Sequence, residues 1–200
     1  MTFGLTKLLR QSPAAERLHC ELCAQPLEDR HRHVVDTADR RLLCTCYACG
    51  VLFAPTPESS ARFKAVPNRY ARIPAPLFSD AQWDALGIPI GLAFFFENGA
   101  SGRVIAFYPG AGGATESLLP LDAWVELRKR EPLIASLQSD VEAALVYRPR
   151  GEEAQSYVVP IDACYELVGL VRWKWSGING GDEVRTAIEN FFARIAEQCE

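Results

Sequence analysis

The sequence predicts an α+β protein: an N-terminal zinc-ribbon or rubredoxin-like module, then an α+β domain with a mainly antiparallel sheet and a duplicated β-loop-α unit. Three observations lead there. Two C-x2-C pairs, Cys20 with Cys23 and Cys46 with Cys49, fall within 30 residues. Apolar runs at about 90–97 and 103–108 flank the turn residues Asn98-Gly99-Ala100-Ser101-Gly102, the pattern of a hairpin. LPLDAWVEL at 119–127 matches VPIDACYEL at 159–167 in Pro, Asp, Ala, Glu and Leu. With 200 residues, 48% hydrophobic and 23% charged, the chain is long enough for one globular domain and a small appendage. It divides into an N-terminal extension (1–18), a metal-binding four-cysteine ribbon (19–53), a linker (54–61) and the α+β domain (62–200).

In the ribbon, a C-x2-C knuckle aims two sulfurs at one ion while backbone amides hydrogen-bond to them, so two knuckles make a closed tetrahedral site. Cys20, Cys23, Cys46 and Cys49 are therefore the expected metal ligands. Gly50 follows the second pair, where a knuckle often needs positive φ. Between the pairs, RHVVDTADRRLLC reads as a hairpin with a polar turn from Asp36 to Arg41. Zinc is the expected metal, in a structural role; iron in the same geometry would make a rubredoxin-like one-electron carrier. Cys44 is left over: it replaces Cys46, joins a cluster, or is a buried thiol, and burial is the favoured reading because cysteine packs as a small hydrophobe. His31 and His33 read as exposed hairpin residues rather than ligands. A disulfide framework conflicts with a reducing cytoplasm.

APTPESSA, 54–61, is rich in Pro and Ser and marks the linker. RFKAVPNRYARI then reads as one or two strands with a basic face from Arg62, Lys64, Arg69 and Arg72, suited to a solvated strand edge or to an anionic ligand. SDAQWDALG predicts a short helix with Ser79 as N-cap, Gln82 completing a capping box, Gly87 as the stop, and Trp83 and Leu86 turned inward. The 90–108 hairpin is the expected centre of the core. YPGAGGATES matches neither phosphate-loop pattern and reads as a flexible loop. In the repeated segments Asp122 and Asp162 take equivalent first-turn positions, where a carboxylate meets free amides and the positive end of the helix dipole; as a catalytic pair they would have to meet in space. Trp173 and Trp175, alternating with Arg172 and Lys174, read as a strand with one aromatic face. After the break at Asn179-Gly180-Gly181, Asp182 caps a last helix whose Val184, Ala187, Ile188, Phe191, Phe192 and Ile195 dock on the sheet. Cys164 and Cys199 stand apart from any histidine and carry no nucleophile assignment.

Charge and hydropathy exclude other classes. The net charge is −4, with 10 basic against 15 acidic residues from position 101 onward, so nucleic-acid binding is not expected. The longest apolar stretch, Ile88 to Phe96, is broken by Pro89 and Gly91 and is far short of the roughly 20 residues of a membrane span. The N-terminus lacks a signal-peptide apolar core, which reads as an unprocessed cytoplasmic chain.

Several strings taken together, CELCAQPL, LLCTCYAC, GIPIGLAFFF, FYPGAGGATESLLPLDAW and VPIDACYELVGLVRWKW, resemble an uncharacterised bacterial family encoded beside nickel-iron hydrogenase genes, notably of the high-affinity actinobacterial type. The resemblance covers about Cys20 to Phe192. It implies an accessory, maturation or electron-transfer role with a hydrogenase subunit or maturation factor as protein partner, and Cys20, Cys23, Cys46 and Cys49 as metal ligands. It supplies no activity. The expectation is a non-enzymatic metal-binding accessory protein, with the iron electron carrier as alternative.

Overall fold

The computed structural model describes residues 18–54, 62–118, 121–149, 151–176 and 181–199. The N-terminal extension up to residue 17, the linker from residue 55, and Asn179-Gly180 lie outside the described residues. Strands β1 (Arg32–Asp36) and β2 (Arg41–Thr45) form the expected hairpin, registered from Arg32 opposite Thr45 to Asp36 opposite Arg41. Alternation turns Val34 inward opposite Leu43, which gives the hairpin its small apolar side. The basic segment does yield two strands, but in different sheets: β3 (Phe63–Ala65) adds to β1, and β4 (Ala71–Ile73) pairs with β9. A short helix α1 (Tyr47–Leu52) lies between β2 and β3.

The second sheet has six antiparallel strands in the order β4-β9-β8-β5-β6-β7, with β5 (Leu92–Asn98), β6 (Arg103–Gly110), β7 (Gly113–Leu118), β8 (Glu142–Tyr147) and β9 (Gln155–Pro160). Strand β5, half of the expected central hairpin, is interior and buried along nearly its whole length. Its side chains alternate between two cores. Phe94 and Phe96 face one side with Leu145 and Tyr157; Ala93 and Phe95 face the other with Val146 and Val158. Each face is covered by helices, so both sides of the strands read apolar.

Helix α2 (Asp80–Ala85) has the expected capping box between Ser79 and Gln82, and Gly87 ends it at φ 64°. Trp83 packs with Phe78 and Phe95 on the second face. That face also receives α3 (Leu121–Arg130) through Trp124 and Leu127, and α4 (Pro132–Ala135) through Ile134. Helices α5 (Ile161–Lys174) and α6 (Gly181–Gln198) cover the first face, with Cys164, Leu167 and Val171 of α5 meeting Phe191, Phe192 and Ile195 of α6. Phe192 stacks on Tyr147 at 4.5 Å. Asp182 sits within the first turn of α6 rather than before it.

Three local expectations are corrected. The glycine-rich YPGAGGATES is not a loop: Gly110 pairs with Gly113, so only Ala111 and Gly112 turn, and the rest is β6 and β7. Its backbone runs extended, the β7 part pairing along one side with β6, and is not curled into a phosphate cradle. Arg172 to Lys174 is the last turn of α5, not a strand; the burial of Leu167 and Val171 continues the helical period, and Trp173 is left 80% exposed. Gly50 is helical and absent from the positive-φ positions; a Cβ there would come 2.7 Å from the Arg32 side chain, so close packing demands it, while Ala24 takes φ 61° beyond the first knuckle.

The ribbon is fastened to the domain. Val35 and Leu42 pack against the first-face core, and Lys64 pairs with Asp140 at 2.8 Å. Arg69 pairs with Glu142 at 3.2 Å, and His33 with Asp162 at 2.8 Å. Arg62, Lys64 and Arg69 are thus held by this chain's own carboxylates rather than left for an anionic ligand, while β3 and β4 are edge strands, as the solvated-edge reading expects, and Arg72 is exposed. Arg62, at the start of the 62–200 segment, grips Asp36 of the hairpin through Nε (2.8 Å) and Nη2 (2.6 Å). These bonds hold the Asp36 carboxyl down to about 2, below its ordinary value of about 3.9. A depressed carboxyl contributes stability that is complete above its unfolded-state value and is lost as pH falls through the folded-state value. The gap in urea midpoint between wild type and Asp36→Asn should therefore be constant above about pH 5 and close between about pH 4 and 2. A gap unchanged across that window would show that ionisation of Asp36 contributes nothing.

Candidate metal centre

The first knuckle is built by local backbone bonds: Ala24 N donates to Cys20 O (2.7 Å) and Cys20 N to Gln25 O (2.8 Å). Glu21 N donates to Cys44 O at 2.9 Å, tying the knuckle to β2. The second knuckle is the start of α1, where Gly50 N donates to Cys46 O at 2.9 Å. The β1–β2 hairpin brings the knuckles together. The sulfurs of Cys20, Cys23, Cys46 and Cys49 all lie within 4.8 Å of one another, and those of Cys23 and Cys46 are 3.7 Å apart. A tetrahedral ion with metal–sulfur bonds of about 2.3 Å requires sulfur separations of about 3.8 Å.

The electrostatics of the group also call for a cation. Burial opposes ionisation of Cys20, yet backbone amides of Cys46, Leu22 and Cys23 and the Cys23 thiol outweigh it and bring Cys20 down to about 6. Cys49 is pushed up to about 12, first by its hydrogen bond with Cys23, then by burial and the remaining sulfurs. The first thiolate forms readily, whereas the last thiol keeps its proton as a hydrogen-bond donor to its neighbours; a bound divalent cation takes the place of such protons. The four-cysteine cluster is therefore chemically fit to hold a metal ion.

Beside it stands a second group that sequence reasoning missed. His31, His33 and Cys44 bring their ligand atoms within 4.8 Å of one another, and all three residues are half-buried. The two imidazoles are 4.9 Å apart, not exposed and independent as expected. Cys44 is not fully buried either; its thiol is pushed up by burial and by Glu21. The available signal is the register: His33 lies directly opposite Cys44, and His31 two residues before it shares that face.

Of the two aspartates in the repeated segments, only Asp162 has a described side chain. Helices α3 and α5 each follow a hairpin but lie on opposite faces of the six-stranded sheet; the Asp122 side chain lies outside the described residues. Asp162 accepts from Ala163 N at 2.9 Å and from His33 at 2.8 Å, so it orients a ribbon histidine besides serving the first turn of α5. Cys164 is fully buried in the core and its thiol is raised well above the ordinary value by that burial. A cleft of about 300 Å³ between hairpin and sheet has Phe96, Phe107 and Ile161 on its walls and Arg40, Arg41 and Glu116 among its polar residues. Among the described residues no helix is long and apolar enough to cross a membrane.

A model of a family of unknown function, DUF5947, matches residues 19–199. No curated protein and no solved structure matches the chain.

Proposed function

We propose, for a chain that belongs to the DUF5947 family of unknown function, a role as a non-enzymatic, zinc-holding accessory protein that works through protein contacts in the cytoplasm. The convergence of four cysteine sulfurs within 4.8 Å carries this reading. Four protein ligands complete a tetrahedral ion and leave no position for a substrate, which is the character of a structural site. The ion then serves to shape the ribbon of residues 19–53, which the linker 54–61 joins to the domain of residues 62–200. The partner assigned is a nickel-iron hydrogenase subunit or its maturation machinery, on the strength of the sequence resemblance alone.

A contact surface is available. Trp173 ends α5 with 80% of its surface exposed, and Lys174 Nζ lies 4.6 Å from its ring centre. Tryptophan is enriched among the residues that dominate binding at protein interfaces.

The test is elemental analysis and an absorption spectrum of anaerobically purified protein, with affinity capture from a host that carries hydrogenase genes. Colourless protein with zinc bound through sulfur, and capture of a hydrogenase component weakened about tenfold or more by Trp173→Ala, are expected. Iron with sulfur-to-metal charge-transfer bands and a reversible redox change would replace this reading with the one-electron carrier. Zinc-loaded protein that captures no hydrogenase component in such a host would remove the assigned partner.

A further inference from the structure

We infer that His31, His33 and Cys44 form a second metal site, distinct from the four-cysteine cluster, that takes a divalent transition-metal ion of the zinc, cobalt and nickel class and leaves one coordination position for water or an added ligand. The inference stands on a different set of residues from the proposed function and does not depend on it.

Both histidines are already arranged as metal ligands are. A ligating imidazole uses one ring nitrogen for the metal and donates the other N–H to a carboxylate or carbonyl, which fixes its tautomer and orientation. Here His33 Nδ1 is 2.8 Å from Asp162 Oδ2, and His31 Nδ1 is 3.0 Å from the Glu28 carbonyl oxygen. A carboxylate and a carbonyl can only accept, so each imidazole donates from Nδ1, and the neutral ring that ligates a metal then offers its lone pair on Nε2. The Nε2 atom of His31 is buried and, among the described residues, has no hydrogen-bond partner. An orphaned buried acceptor is uncommon in a folded protein and calls for an explanation such as an ion.

The third ligand is set by the hairpin. His33 and Cys44 are cross-strand partners in β1 and β2, so their side chains leave the same face, and the two-residue step to His31 keeps it there. Bond lengths of about 2.0 Å to nitrogen and 2.3 Å to sulfur place tetrahedral ligands about 3.3–3.7 Å apart. The cluster, with separations up to 4.8 Å, closes on such an ion by movements of about 1 Å.

Three protein ligands with a fourth position left open is the arrangement of zinc sites that exchange a ligand, and soft sulfur with imidazole disfavours magnesium and calcium. A Cys-His-Asp nucleophile built from Cys44, His33 and Asp162 would have no use for His31, and among the described residues no hydrogen bond joins Cys44 to His33. Because Asp162 belongs to α5 and the ligands to the ribbon, an ion here also braces the ribbon on the domain.

The full chain, equilibrated anaerobically with excess Co²⁺ and desalted, should hold two metal ions in total, with the visible bands of tetrahedral cobalt bound to nitrogen and sulfur. His31→Ala and Cys44→Ser should each retain one ion and the wild-type circular dichroism spectrum. Asp162→Asn should keep the site with affinity weakened about 10- to 100-fold. Bound cobalt that is not reduced by one ion in both His31→Ala and Cys44→Ser, relative to the wild type, would overturn the site. Zinc retained by these variants reports on the four-cysteine cluster separately, so either assignment can fail without the other.

Discussion

Removing the metal from the four cysteines, by a strong chelator or by Cys46→Ser, is expected to unfold the ribbon while the six-stranded sheet persists. The ribbon's own buried apolar set among the described residues is small, Cys20, Val34, Val35 and Leu43, with Ala65 added by β3, which pairs with β1. A segment of that size does not bury enough surface to offset about 1–2 kcal/mol of backbone entropy per residue. Structural zinc in comparable modules binds with an apparent free energy of about 10–16 kcal/mol, and that binding energy is folding energy. The domain differs, since its sheet has a helix-covered core on each face. Amide exchange should show protection lost throughout β1, β2 and β3 and retained in β5, β8 and β9. Full protection of β1 and β2 in metal-free protein would mean that docking through Val35, Leu42 and His33–Asp162 suffices, and that the cysteine cluster has a role other than folding.

Features carried by short-range chemistry are legible in the sequence. The knuckle spacing, the Asp36–Arg41 turn, the Ser79–Gln82 box and the 90–108 hairpin each depend on residues within a few positions of one another, and the structure has all four. What escapes depends on residues far apart. Lys64 meets Asp140 from 76 positions away and His33 meets Asp162 from 129, distances over which a sequence carries no spacing rule. So the basic stretch reads as a free face and His33 as an exposed residue. Arg172 to Trp175 misleads for a different reason: four alternating residues satisfy a strand pattern, and only the longer 164–167–171 burial shows the helix. The His31, His33 and Cys44 cluster needs the hairpin register, which is within reach once β1 and β2 are aligned, whereas composition alone assigns the cysteine to the interior before any strands are paired.

Replacing Arg69 is expected to be the most damaging single change outside the four-cysteine cluster and the hydrophobic core. Glu142, the first residue of β8, is 0% exposed. Its carboxylate accepts from Arg69 Nη1 (3.2 and 3.4 Å) and from Gln138 N (2.9 Å). Arg69 also donates to Ser136 Oγ (2.8 Å) and to the Ser136 carbonyl (3.3 Å), so one guanidinium secures the chain crossing from β3 to β4 against the approach to β8. Removing the cation strands a buried carboxylate, and breaking a pair in this way costs about 3–5 kcal/mol. The reverse change is milder. The Arg69 side chain is 33% exposed and remains solvated opposite a neutral partner, so Glu142→Gln should cost only about 1–3 kcal/mol. The double variant Arg69→Met/Glu142→Gln should be more stable than Arg69→Met alone, because the neutral amide can be buried at lower cost than the charge. Urea denaturation of the four proteins measures the cycle. If Arg69→Met costs under about 1 kcal/mol, or the double variant is no better than the single, the pair acts as a surface ion pair and the crossing is held by its apolar contacts instead.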